Sequence, residues 1–309
     1  MNIVFVLSRL WRYLNIYFLK PFDAVNDTLT SYLVFKKHGL QNNYLEIGSG
    51  DGMFSYIMCG GKFPIDFDRY RDIDLQKKDI FNTHKKKLPF NLDVKKKIRP
   101  LTSIDANQNH IKKIKEIGFS KKTIFCKYEN LPIKKNSIKF IFFYTAHGLE
   151  NFDKSVKSAT KSLKKNGKII FLVFDDYVKK NFICHSFYRK GILKNFFKDL
   201  NNNRYEEISG YSKTYQGWKK FFKKKGLKII SDSRGLSGTA WKFYDVQTRP
   251  ILRPLIFFFN FFPNWIRTTI KIIWMIFLYP FLFIFFLFFS NLIFRSSNNC
   301  YRVFELKKS

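Results

Sequence analysis

Residues 45–52 read Leu-Glu-Ile-Gly-Ser-Gly-Asp-Gly, and this stretch decides the fold. The residues Tyr44–Ile47 just before the glycines are mostly apolar, so they predict a short buried strand. Three glycines at a spacing of two follow, and glycine lets a backbone turn tightly and approach a ligand closely. The dinucleotide fingerprint G-x-G-x-x-G fails, because its third glycine is replaced by Met53. The stretch predicts a strand, a glycine turn and a helix. Its function can be inferred only together with the rest of the chain.

Short β-rich runs and helical stretches alternate along the chain from this turn onward. The predicted strands are residues 44–47, 101–105, 123–126, 137–144, 168–174 and 227–231. The predicted helices lie near residues 107–117, 153–164 and 213–225. This rhythm is typical of a mostly parallel sheet with helices on both faces. We therefore predict a doubly wound α/β fold.

Three motifs in order resemble those of class I S-adenosylmethionine (SAM)-dependent methyltransferases. Residues 46–52 resemble the first motif of that family, Asn-Leu-Pro-Ile at 130–133 followed by Ser-Ile-Lys-Phe-Ile at 137–141 resembles its "LPF…sFD" segment, and Leu-Lys-Lys-Asn-Gly-Lys-Ile at 163–169 resembles its "LKPGG" turn. The resemblance covers about residues 40–232. It implies SAM as cofactor and a seven-stranded Rossmann-like sheet, whose last strand, residues 300–306, would lie antiparallel between strands five and six.

The resemblance also implies which residues hold the cofactor. They are Glu46, Gly48, Ser49, Gly50, Gly52, Asp105, Glu129, Asn130 and Leu131. Asp105 is preferred over Asp66 and Asp68 as the ribose-binding acid, because its distance to the "LPF"-like segment matches the usual spacing. A helix N-cap is the alternative role for Asp105. Residues 60–100 then form an insertion, similar to one in methyltransferases clustered with cell-surface polysaccharide enzymes.

One departure from the family pattern concerns the adenine. Where the family often has an acid before "LPF", this chain has Lys127-Tyr128-Glu129. Either Glu129 substitutes for that acid or backbone groups hold the adenine.

The methyl acceptor is expected to lie beside the end of the fourth strand. His147 follows that strand and is our candidate base, with a cofactor-lining or capping role as the alternative. Residues 175–212 form a predicted substrate lid that contains His185, Tyr188 and Arg189. A surface loop is the alternative for that segment.

Two segments outside the predicted 41–232 methyltransferase domain are strongly apolar. Residues 1–40 predict an N-terminal helical segment of interfacial or packing character, and Pro21 is expected to stop its first helix. Residues 272–294 carry no charge and would extend about 34 Å as a helix. We predict that residues 250–295 form a re-entrant or monotopic membrane hairpin, bent near Pro263 or Pro280. If residues 296–309 are a free tail rather than a strand, a single transmembrane span becomes the alternative.

The amino-acid composition excludes several classes of protein and of binding partner. The 309 residues include 56 Lys and Arg against 23 Asp and Glu, a net charge of +33. The apolar content excludes a disordered chain, and four scattered cysteines exclude a disulfide scaffold and zinc spacing, as expected of a reducing compartment. The basic runs are Lys-dominated, which favours solvated surface or an anionic membrane over nucleic acid.

We therefore predict a membrane-associated SAM-dependent methyltransferase at the cytoplasmic face of a membrane. A lipid-linked or cell-surface glycan is the leading acceptor. The alternatives are a quinone or phospholipid methyltransferase, a nucleic-acid methyltransferase, and a non-catalytic membrane scaffold with the same fold.

Overall fold

A computed structural model describes residues 1–71, 73, 75, 98–144, 151–201, 204–292 and 298–309. Its centre is a seven-stranded sheet in the order β3-β2-β1-β4-β5-β7-β6. The strands are β1 (Tyr44–Ile47), β2 (Pro100–Asp105), β3 (Lys122–Phe125), β4 (Ile138–Phe143), β5 (Leu163–Phe174), β6 (Leu227–Arg234) and β7 (Tyr301–Lys308). Strands β1 to β5 pair in parallel, and β7 runs antiparallel to both of its neighbours. The predicted fold class is confirmed, including the antiparallel strand from the C-terminal residues.

The helices cover both faces of this sheet. They are α1 (Ile3–Ile16), α2 (Pro21–Ser31), α3 (Met53–Met58), α4 (Gln108–Ile117), α5 (Phe152–Ser162), α6 (Ile183–Arg189), α7 (Lys194–Asn201), α8 (Arg204–Tyr211), α9 (Tyr215–Lys224), α10 (Gly238–Val246), α11 (Leu252–Asn260) and α12 (Asn264–Phe289). Pro21 is the first residue of α2, because proline fits the first helical turn; it does not end α1, which already stops at Ile16.

The two faces of the sheet bury separate apolar clusters. Along β4, Phe142 belongs to the cluster under α1, α2 and α12, whereas Ile141 and Phe143 belong to the cluster under α5 and α9. This alternation follows from the two-residue period of a strand. Both sides of each central strand are therefore apolar, as a parallel sheet requires.

The segment that resembles the "LKPGG" turn is part of a strand. β5 begins at Leu163, five residues before the predicted start, and its pairing with β4 shifts register between Ile138 and Phe140. At this irregularity a Cβ on Gly167 would lie 2.6 Å from Leu163 Cδ1 and 2.9 Å from the Lys139 carbonyl oxygen. A glycine is needed there because two backbones and a buried leucine meet.

The apolar helices α11 and α12 lie in the connection between β6 and β7. Because β6 and β7 pair with each other over seven residue pairs, both ends of this connection return to one sheet. The alternative of a free C-terminal tail is therefore wrong. The chain turns between α11 and α12 at residues 261–263, while α12 continues through Pro280.

One side of α12 packs on the domain and the other side is exposed. Its buried residues are Arg267, Lys271, Met275, Leu282, Phe285 and Phe286. The Tyr279 hydroxyl donates to the Leu7 carbonyl of α1 at 3.0 Å, and the Trp274 indole donates to the Phe18 carbonyl at 3.0 Å. Only 22% of the apolar stretch of α12 is buried, although the helix is long and apolar enough to cross a bilayer.

Candidate active site

A glycine loop joins β1 to α3 at the carboxyl edge of the sheet. Gly48, Gly50 and Gly52 all have positive φ, at 76°, 56° and 79°, which other residues adopt only with strain. The amides of Gly48 and Ser49 both donate to the Ile104 carbonyl, at 3.0 and 3.1 Å, so the loop is fixed to β2. A Cβ on Gly50 would meet nothing within 4 Å, so the loop faces open space at its middle.

Asp105 ends β2 beside this loop. Its Oδ2 accepts a hydrogen bond from the Gly50 amide at 2.8 Å, and its Oδ1 accepts one from the Asn107 amide at 2.8 Å. His110 Nδ1 of α4 lies 3.1 Å from the same Oδ1. The Tyr128 hydroxyl lies close enough to Asp105 to interact with it and accepts a hydrogen bond from the Ala106 amide at 3.2 Å. Asp105 therefore lies at the end of the second strand, as the sequence predicts. The N-cap of α4 is Asn107 rather than Asp105.

Glu46 lies beneath the glycine loop rather than at its surface. It is 1% exposed, and its two oxygens accept hydrogen bonds from Ser55 Oγ of α3 and from Ser103 Oγ of β2, the latter at 3.0 Å. Burial raises the pKa of Glu46 to about 7, against the opposing effect of the two serines. This side chain joins three elements around the loop.

A residue of the predicted insertion reaches the loop directly. Arg69 Nη2 forms a 2.7 Å ion pair with Asp51 Oδ2, and its guanidinium lies 5.0 Å from the centre of the ring of Tyr17, which follows α1. Burial alone would raise the pKa of Asp51, but Arg69 and the nearby cations of α4 hold it below its ordinary value. Nothing in the sequence singles out this pair.

Another buried carboxylate, Asp27, lies next to the end of β4. The Tyr144 hydroxyl donates to Asp27 Oδ1 of α2 at 3.4 Å, while the Tyr144 amide donates to the Ile47 carbonyl at 3.1 Å. Burial and the neighbouring Asp23 raise the pKa of Asp27 to about 7. The sequence analysis missed Asp27, because an acid in an N-terminal helix is usually solvated.

The residues predicted for the adenine end follow β3 as a short turn. Tyr128–Asn130 forms a 3-10 turn, in which Asn130 is exposed. Glu129 Oε1 accepts a hydrogen bond from the Asn151 amide at 2.9 Å, so Glu129 is engaged at the start of α5. The Leu131 amide donates to Ser158 Oγ at 3.1 Å.

The predicted acceptor residues are not all within the described part of the chain. His147 lies outside the described residues. His185, Tyr188 and Arg189 lie on α6, where the His185 ring stacks on Tyr205 of α8 with centroids 3.5 Å apart. Burial lowers the pKa of His185, and Arg189 and Arg249 lower it further. Their substrate role stays a prediction. Asp68, the rejected ribose candidate, pairs with Arg267 of α12, with Oδ2 2.7 Å from Nε.

Comparisons with known proteins give structural likeness only. No family model matches this chain, and no curated protein matches its sequence. A SAM-dependent methyltransferase from Thermotoga maritima is 16% identical with a TM-score of 0.42, covering 68% of this chain and 75% of its own. A SAM-dependent methyltransferase from Aquifex aeolicus is 11% identical with a TM-score of 0.40, covering 66% and 82%. The [4+2]-cyclase SpnF is 10% identical with a TM-score of 0.46, covering 90% and 80%.

Proposed function

We propose that this chain is a SAM-dependent methyltransferase that works at a membrane surface. The observation that carries the proposal is the hydrogen bond between Asp105 and Gly50, which sets a carboxylate at the edge of an open glycine loop. In open α/β sheets, ligands bind outside the carboxyl ends of the strands where the strand order reverses. Here that reversal lies between β1 and β4, and the loop follows β1.

The residues present fit the cofactor at its ribose. A carboxylate accepts about four hydrogen bonds. Backbone amides of Gly50 and Asn107 occupy two of these on Asp105, and the side chains of His110 and Tyr128 lie at the others. The two hydroxyls of a ribose can replace these side-chain donors without disturbing the backbone. The open side of Gly50 admits the rest of the molecule.

The protein's part in the reaction is mainly positional. Bound SAM supplies a methyl group on a sulfonium, which is a good leaving group. The chain must hold the acceptor in line and exclude water. A hydroxyl acceptor also needs a proton acceptor. We propose two candidates, His147, which follows β4 in sequence, and Asp27, which contacts Tyr144 at the end of β4.

The exposed helices support work at a membrane. Large apolar side chains of α11, α12 and the turn between them face solvent, among them Phe261, Trp265 and Phe277, which are 70%, 70% and 74% exposed. Because both ends of this connection return to one sheet, we propose that the two helices lie in the interface rather than cross the bilayer. Lys and Arg near such a surface add roughly 1 kcal/mol each against anionic lipid, which suits the cytoplasmic leaflet.

An anchored enzyme suits an acceptor that is itself in the membrane. We propose a lipid-linked or cell-surface glycan hydroxyl, supported by the insertion after α3. The test incubates the full chain with methyl-labelled SAM and fractionated cell extract, beside the Asp105→Asn variant as control. Label in lipid-linked glycan with wild type alone supports the proposal. Label in nucleic acid, in quinone or in phospholipid contradicts the acceptor, and no label in any fraction contradicts the enzyme.

A further inference from the structure

A cavity of about 550 Å³ lies between α1, α12 and the segment after α3, away from the glycine loop. Its apolar walls come from Val4, Leu7 and Trp11 of α1, from Phe63 and Ile65, and from Tyr279 of α12. This volume is within the range of small-molecule sites, about 300–1,000 Å³. Val4, Trp11 and Ile65 are 78%, 37% and 40% exposed, so the cavity reaches the surface.

A buried amide in the cavity wall lacks a partner for its oxygen. Asn15 is 5% exposed, and its Nδ2 donates to the carbonyls of Phe63 and Pro64, both at 3.0 Å. Its Oδ1 is buried and accepts no hydrogen bond from any residue that the structure describes. An unsatisfied buried acceptor costs about 1–3 kcal/mol. The Asn15 side chain is therefore held in the cavity wall by its two donated hydrogen bonds.

The charges around the cavity have one sign. Arg12 and Lys62 line it, and its lining contains no carboxylate among the described residues. Arg12 is fixed in place, because its Nη1 donates to the Gly60 carbonyl at 2.6 Å. The combination of apolar walls and two cations suits an amphiphile with an anionic group.

The cavity adjoins the exposed apolar surface. Tyr279 belongs both to its wall and to α12, and its ring packs edge-on against Trp11 with centroids 5.3 Å apart. Phe277, two residues earlier, is 74% exposed. A lipid in the membrane leaflet that contacts α12 would therefore reach the cavity without passing through water.

We propose that this cavity binds one anionic phospholipid, such as phosphatidylglycerol. One acyl chain contacts the apolar walls, and Arg12 and Lys62 bind the phosphate. The inference rests on the membrane part of the proposed function and is independent of the methyl transfer.

The test is calorimetric titration of the full chain with monomeric lysophosphatidylglycerol and, separately, lysophosphatidylcholine, both below micelle formation. We expect one site with at least tenfold preference for the glycerol lipid, and a several-fold loss in Lys62→Gln. Leu7→Trp fills the cavity and should weaken binding at least tenfold. Val4→Trp narrows the exposed rim and should weaken binding even if Leu7→Trp fails to fold.

Phe277→Ser is the matched control, because Phe277 lies on α12 outside the cavity. It should weaken binding to phosphatidylglycerol vesicles and leave the monomeric lipid's affinity unchanged. Equal affinity for the two lysolipids, or full binding by both cavity-filling variants, would overturn the lipid site. SAM titration of the same samples reports separately on the proposed methyltransferase.

Discussion

Asp105 Oδ2 accepts a hydrogen bond from the Gly50 amide across 2.8 Å, which joins the end of β2 to the middle of the glycine loop. Asp105 ends β2, and Gly50 lies 55 residues earlier, in the loop that follows the neighbouring parallel strand β1. Their contact fixes the loop beside the Asp105 carboxylate, and a Cβ on Gly50 would still meet nothing within 4 Å. The proposed cofactor site depends on this relationship.

The Asp105→Asn variant should lose most of its affinity for SAM. A hydrogen bond to a charged group contributes about 1.5–3 kcal/mol, so we expect the Kd to rise by roughly 10- to 150-fold. Isothermal titration calorimetry measures it. Asp176→Asn is the control, because Asp176 forms only an exposed pair with Lys179 in the described structure. Equal affinities in the two variants would remove Asp105 from the site.

Two glycines in similar backbone conformations allow the effect of a substitution on SAM binding to be separated from its effect on backbone strain. Gly50 and Gly191 both have positive φ, 56° and 75°, and both face open space. Alanine at either position should destabilise the fold by about 1–2 kcal/mol. Only Gly50→Ala should also weaken SAM binding, because only that methyl group enters the proposed site. Thermal unfolding and SAM titration of both variants test this, and similar SAM affinities would argue against the loop as the binding surface.

Removing Arg69 should leave a buried charge without its partner. We expect Arg69→Met to lower the free energy of unfolding by about 3–5 kcal/mol, since Asp51 stays buried. Lys179→Met, which breaks an exposed pair, should cost less than about 1 kcal/mol. Urea denaturation measures both. A small effect at Arg69 would mean that water reaches Asp51.

Stability should fall as pH rises toward neutrality because of Glu46. Its folded pKa of about 7 lies above the ordinary 4.5, so the folded state holds more protons than the unfolded state between these values. The free energy of unfolding therefore decreases through this window and levels off above pH 7. We compare the free energy of unfolding of Glu46→Gln with that of the wild type at each pH. This difference should be more favourable to the variant at pH 8 than at pH 4, by on the order of 3 kcal/mol.

Denaturant midpoints measured across pH 4 to 8 test the Glu46 prediction. Part of the slope should persist in Glu46→Gln, because Asp27 also has a raised pKa and acts with the same sign. An identical pH dependence in the variant and the wild type would show that Glu46 has the same pKa in the folded and unfolded protein.

The exposed side of α12 should control membrane binding. Phe277 and Phe281 are 74% and 55% exposed, and burying each in lipid contributes about 1.5–3 kcal/mol. Phe277→Ser with Phe281→Ser should reduce co-flotation with anionic vesicles at least tenfold. The control is the exposed pair Phe125→Ser on β3 and Phe187→Ser on α6, which should float normally. Unchanged flotation of the α12 variant would contradict the interface.

Much of the fold follows from local sequence, because strand periodicity and glycine turns are local signals. Residues 300–306 were predicted as the antiparallel strand, which the structure has at Tyr301–Lys308, and Asp105 was correctly placed at the end of the second strand. The start of β5 was missed, because an Asn-Gly sequence usually marks a turn and here lies in an irregular strand.

The missed parts of the site depend on contacts between distant segments. Arg69 reaches Asp51 from the insertion, and Tyr144 reaches Asp27 across 117 residues. The sequence neighbours of Arg69 and Asp27 carry no periodicity or motif that would reveal these two residues. The place of Glu129 beside the adenine stays a prediction; its carboxylate accepts a hydrogen bond from the Asn151 amide, a partner that the sequence does not reveal.

Titration of the full wild-type chain with SAM tests the central claim most directly. We predict that SAM binds to a single site per chain, with a heat of binding that saturates. S-adenosylhomocysteine should compete for that site. Absence of saturable binding by a folded, monodisperse preparation would contradict it, because the loop beside Asp105 would then not hold the methyl donor.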